Sequence, residues 1–303
     1  MQTLPTVSDP EALQAWIRVQ AETTTRCVAL IDPSRYRDID DCARALDMDA
    51  TQLATLPNLY AKYAKSIRDL GPRLLNLPEG VVPSPVLYEM LHRQSASILV
   101  LPDDHGDLGA HLMGLVRMPQ PDGGNLLFRF QDVVVLTALA PLISPLQRQA
   151  LLGPASKWLA VDLCHHPVVI DREGLAIQHP SPTLRLEQRQ IDALDEALRP
   201  LTVIHQANET DTTLLAGMTK CEQVGLIRDR LRRARTHGLS RDEDLSLYCL
   251  LSLQLPADFD NRGPVAEALR EAQARGIGFG EAVDEVPVER WREWDEVLDR
   301  EGY

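Results

Sequence analysis

No apolar run in this 303-residue sequence approaches the ~20 residues needed to cross a bilayer, so no membrane span is expected. Met1 to Glu11 carries no basic side chain ahead of an apolar stretch, which speaks against a secretory signal. Cysteine is sparse: Cys27, Cys42, Cys164, Cys221 and Cys249 stand far apart with no CxxC pair. Neither a disulfide framework nor a zinc ribbon is therefore expected, and a reducing cytoplasm is the natural compartment. An excess of positive charge is also missing. With 31 Lys and Arg against 44 Asp and Glu, the net charge is −13, which argues against a general nucleic-acid binder and against an anionic membrane surface as partner. Internal repeats and low-complexity tracts are absent. At 44% hydrophobic and 25% charged residues the composition is that of a folded protein, and the length suggests two domains.

What is present divides into two parts. Asp9 and Pro10 open a first helix with Leu13, Trp16 and Ile17 on its apolar face. Cys27 to Ile31 reads as a buried strand ended by Asp32-Pro33. Helical pieces over 38–55 and 59–70 precede Gly71-Pro72 and the run Arg73 to Leu77, and Ser84-Pro85 starts another helix. Strands are expected at Ser97–Leu101, Asn125–Phe130 and Trp158–Leu163, separated by helices at 107–117, Val133–Ala140 and from Ser144-Pro145 to Gly153-Pro154. A hairpin is expected to join Val168–Ile170 to Leu175–Gln178 through Asp171 to Gly174. This alternation predicts an α/β lobe over 1–180, a mixed sheet with flanking helices.

The composition changes at His179-Pro180-Ser181-Pro182, a linker signal. Beyond it, 187–199, 219–236, 240–254, 264–275 and 288–300 read as helices, so 181–303 is expected to form an all-α domain. Ser240 and Glu243 spell a capping box. The following helix, with Leu245, Tyr248, Leu250 and Leu251, is apolar nearly all round and belongs at the centre of its lobe.

The chemistry-bearing clusters are thin. Cys164-His165-His166 offers a hydrolase or a metal-dependent enzyme, but adjacent strand residues face opposite ways and further ligand spacings are missing. Asp103-Asp104-His105 with Asp107 reads as turn and cap chemistry. Gly276-Ile277-Gly278-Phe279-Gly280 follows a helix, where a dinucleotide loop follows a strand. Asn208-Glu209-Thr210 matches a glycosylation sequon, which has no consequence without export. No Walker A sequence, GxSxG elbow or kinase signature occurs. No catalytic residue, metal or cofactor is therefore expected. Candidates for partner binding are the stripe Arg228, Arg232 and Arg235, beside the apolar Val224, Ile227, Leu231 and Ala234, and Trp291 and Trp294 of the last helix.

One segment is more informative. Gly124 to Leu136 carries Phe128-Arg129-Phe130-Gln131-Asp132 and then a Val-Leu helix start. It resembles the signature of the type VI secretion effector adaptor/chaperone family, roughly "Phe-Arg-Phe-Tyr-Asp-Pro". In the same order, Cys27 to Asp32 resembles the family's first strand, while Leu59-Tyr60 and Gly71 to Leu77 resemble its next elements. Leu152-Gly153-Pro154 with Trp158 to Asp162 resembles its end. Gln131, Val133 and Arg73 depart from the pattern. Over residues 25–165 this resemblance implies a non-enzymatic cytoplasmic bacterial protein that binds one secreted effector and helps load it onto the spike protein of the apparatus. Phe128, Arg129, Phe130 and Asp132 are expected to be structural, with Arg129 on a central strand paired to a carboxylate and Asp132 capping its helix. A generic helical interaction module is the remaining alternative to the adaptor and to the enzyme.

Overall fold

The computed structural model describes residues 10–20, 26–77, 85–102, 106–172, 174 and 183–301. It separates into two compact units, Met1–Ala197 and Leu198–Tyr303. Asp9, Ser84, Asp103 to His105, the segment 175–178 and the 179–182 linker signal lie outside the described residues.

The first unit runs α1 (Pro10–Gln20), β1 (Arg26–Ile31), α2 (Ile39–Ala45), α3 (Ala50–Thr55), α4 (Lys65–Asp69), β2 (Arg73–Leu77), α5 (Pro85–His92) and β3 (Ala96–Leu101). It continues with α6 (Leu108–Leu115), β4 (Arg117–Pro119), β5 (Asn125–Leu127), α7 (Val133–Leu139), α8 (Pro145–Leu152), β6 (Lys157–Val161) and β7 (Pro167–Asp171). Five strands form one sheet in the order β2-β1-β3-β6-β7. The α/β expectation holds, but every pairing is antiparallel where a mixed sheet was expected. The reason lies in one connection. The chain does return through α5 from β2 to a strand of the same direction, but β1 lies between them.

Every residue of β3 is buried, as a strand covered on both faces requires. On one face Ala29, Ile31, Ile98, Val100, Leu159 and Val161 pack under Leu13 and Ile17 of α1, Cys42 of α2, Leu53 of α3 and Leu87 and Leu91 of α5. On the other, Trp158 meets Phe130 edge-to-face at 6.2 Å, and α7 packs against β6.

One local expectation is corrected: the strand expected over Asn125–Phe130 stops at Leu127, paired with β4 in a separate two-stranded ladder. β7 forms a hairpin with β6, closed by the turn Asp162 to His166, while the second arm of the hairpin expected at 175–178 lies outside the described residues.

The second unit begins within α9 (Gln188–Thr210), which runs through Pro200 where the sequence suggested a stop. It continues with α10 (Lys220–Thr236), α11 (Asp242–Gln254), α12 (Gly263–Arg275), α13 (Phe279–Asp284) and α14 (Val288–Glu301). The all-α expectation holds. No residue from Asp244 to Leu253 is exposed, so α11 is central to its lobe. The Ser240 capping box does not form: Arg241 takes the cap position without a side-chain bond, and Asp242, Glu243 and Asp244 complement the helix dipole instead. A capping box does form at Thr219 and Glu222. The glycine-rich segment caps α12 through Gly276, at φ 68°, and opens the short α13, whose Gly280 N–H donates to Asp244 at 3.0 Å. Among the described residues no helix is long and apolar enough to cross a membrane.

Candidate functional site

The resemblance-bearing residues converge on the end of β1. Asp32 has no exposed side-chain surface. Its Oδ1 accepts from the Ser34 amide at 3.1 Å and the Ser34 hydroxyl at 2.6 Å. The loop after β5 arrives from 95 residues away, and Arg129 donates to the Ser34 hydroxyl at 2.9 Å. Arg129 also lies 3.8 Å from Asp32 and 3.9 Å from Asp132, while Arg35 pairs with Asp132 and reaches to 3.9 Å from Asp32. Asp132 caps α7 by accepting from the Val134 amide. Arg129 is thus on a loop, half-exposed, and not on a central strand as the sequence suggested. Its neighbours Phe128 and Phe130 are buried and meet edge-to-face at 6.1 Å, so two aromatic anchors fix the backbone on either side of an outward guanidinium.

Behind this rim the polar groups are interior. Gln131 donates to the Tyr60 hydroxyl at 3.1 Å, both side chains buried. Buried Arg73 donates to the Gly71 carbonyl at 3.0 Å, and desolvation holds its pKa below the usual guanidinium value. Gln131, Val133 and Arg73, the three departures from the family pattern, are therefore all buried positions. Burial pushes the Asp32 carboxyl above the usual carboxylate range, against the pull of Ser34, Arg129 and Arg35. What the cluster does is hold a loop and present Arg35 and Arg129 at its rim.

Cys164, His165 and His166 are brought together, but not as a triad. Asp162 Oδ1 accepts from the backbone amides of Cys164 and His166, each at 2.8 Å, and Asp162 Oδ2 lies 3.3 Å from His166 Nδ1. Asp162, Cys164 and His166 place ligand-type atoms within 4.8 Å of one another. Cys164 and Cys221 are disulfide-bonded, contrary to the expectation from cysteine spacing, and Cys27, Cys42 and Cys249 are free thiols. His165, at φ 60°, turns away to stack on His92 at 3.7 Å. Asp107, the described member of the acidic run, caps α6.

In the second unit the α10 stripe is as its spacing implies. Val224, Ile227, Leu231 and Ala234 are buried and Arg228, Arg232 and Arg235 exposed, with Arg232 paired to Asp229 at 2.9 Å. Of the two tryptophans, Trp294 is withdrawn from the surface, packed against Gly263 with the Arg262 guanidinium 4.9 Å over its ring, and Trp291 is half-buried. The residue that sequence reasoning missed is Asp260. Fully buried, it accepts from Arg233 at both oxygens, from His237 Nε2 at 2.9 Å and from the Tyr248 hydroxyl. Burial alone would raise its carboxyl, but the bonds from Tyr248, Arg233 and His237 outweigh that and hold it below the usual range.

No curated protein and no solved structure matches the chain. Residues 27–150, less than half of the 303, match a family model described as a domain of unknown function, DUF4123, and that span takes in Asp32, Arg129 and the whole loop from Phe128 to Asp132.

Proposed function

We propose that the chain is a non-enzymatic adaptor that binds a specific type VI secretion effector in the bacterial cytoplasm and helps load it onto the spike protein. The observation that carries this reading is the DUF4123 match over 27–150, a family associated with type VI effectors, lying on the ordered motifs that end in Phe128-Arg129-Phe130. The Asp32 cluster fits it. Its buried acid, Asp32, ties down the loop, and Arg35 and Arg129 stand part-exposed at a rim where a partner surface has access. Exposed Arg228 and Arg232 on α10 give the second unit a basic face suited to an acidic partner. Recognition of this kind needs shaped surface and anchors, not tuned acid–base groups.

Deletion of the gene in its native host tests the proposal. Export of one effector should stop while the apparatus still assembles and exports others. Unchanged export of every effector would refute it. The gene is also expected to lie between a spike gene and a toxin gene.

A further inference from the structure

The second unit holds a pocket of about 260 Å³ bordered by His237, Asp260, Asn261, Leu269, Arg270 and Gln273. We propose that it receives a single peptide carboxylate, an Asp or Glu side chain or a chain terminus of a bound polypeptide. The choice of a polypeptide as source rests on the adaptor reading; the carboxylate chemistry rests on the pocket alone.

Two features select an anion. First, Asp260, the acid in the pocket wall, has no exposed side-chain surface, and both its oxygens are occupied by Arg233, His237 and Tyr248, so it offers nothing to an incoming cation. Second, whereas the nearby Arg233 and Arg262 each pair with a carboxylate, Arg270 makes no ion pair among the described residues of this acidic chain. Its Nε donates to the Ala266 carbonyl of its own helix at 3.2 Å, which leaves the terminal nitrogens of an exposed side chain to bind bidentately.

Size narrows the ligand. Pockets for drug-sized molecules run from ~300 to ~1,000 Å³, so this one holds a side chain or a chain end. Buried Leu269 and Ala266 provide an apolar floor for its methylenes, and the Asn261 and Gln273 amides sit at the rim.

The test is an NMR titration of the isotope-labelled full chain with three dipeptides: Glu-Glu blocked at both ends, Gln-Gln blocked at both ends, and Gln-Gln with a free C-terminus. Blocked Glu-Glu should give saturable shifts at the Arg270 Nε–H and the His237 ring, and blocked Gln-Gln none. Arg270→Gln, an exposed change, should weaken Glu-Glu binding about tenfold or more, with partial recovery in Arg270→Lys. Shifts with free-ended Gln-Gln would assign the chain terminus as a source, and their absence the acidic side chain. Equal shifts with both blocked peptides, or wild-type binding by Arg270→Gln, would overturn the proposal. Peptide binding without effector-specific export would sink the adaptor reading alone; export without peptide binding would sink the pocket alone.

Discussion

Among the described residues, Asp32 in the first unit and Asp260 in the second have no exposed side-chain surface, and the two are treated in opposite ways. Asp260 is enclosed by donors on both oxygens, one of them a guanidinium in bidentate contact, and its carboxyl is held below the usual range. Asp32 receives direct hydrogen bonds from Ser34 only, at one oxygen, with Arg129 and Arg35 stopping at 3.8 and 3.9 Å, and burial leaves its carboxyl raised. The difference lies in where the cations end. Arg233 is spent on Asp260, whereas Arg129 and Arg35 are shared among Asp32, Asp132 and the surface. A closed cluster is a structural tie, and an open one keeps charge at the rim for another molecule.

The largest test of that contrast is Asp260→Ala. It leaves Arg233 without its partner and should cost about 3 kcal/mol, the low end for a broken buried pair, because Arg233 keeps about a third of its side-chain surface in water. Thermal unfolding followed by circular dichroism reads it, and a loss below about 1 kcal/mol would break the comparison. Tyr248→Phe removes one bond to the same carboxylate and should cost about 1.5 kcal/mol.

Proton linkage then separates the two aspartates by sign. Asp260, held low, contributes stability that is present above the unfolded carboxyl pKa and is lost as pH falls through the folded value. Asp32, held high, contributes stability below the unfolded value that is lost as pH rises through the folded one. Asp260→Asn should therefore be most destabilising at neutral pH, its deficit shrinking in acid. Asp32→Asn should melt no lower than wild type at neutral pH, with any advantage shrinking in acid. Melting curves from pH 7 to pH 4 that moved in the same direction for both variants would erase the distinction.

The smallest effect is expected for Arg129→Ala. A half-exposed side chain with one hydrogen bond and two long ion pairs should contribute less than about 1 kcal/mol, and the larger loss should fall on partner binding. A large drop in melting temperature would mean that Arg129 is structural, as its sequence position between two aromatics implied.

Local chemistry was legible and distant chemistry was not. The β3 run, the Asp132 cap and the Ser144 start of α8 are written within a few residues, and they stand where the sequence placed them. The strand through Phe130 was misplaced because alternating Phe128-Arg129-Phe130 reads as a period of two, whereas the ladder partner β4 extends only from Arg117 to Pro119. Asp32 read as a strand end because the Arg129 cation beside it comes 97 residues later. Asp260 had no motif at all: its partners lie 27, 23 and 12 residues upstream on two other turns of chain. Arg233 stands one position off the exposed stripe Arg228, Arg232, Arg235, and one residue of helix rotation carries it inward.

Whether the open cluster serves a partner is tested most directly by affinity purification of the tagged full-length chain from its native cells, beside its Arg129→Glu variant. The account predicts that the wild type recovers an exported effector together with the spike protein and that the variant, folded and equally stable, loses at least the effector. Recovery of neither by the wild type would contradict it.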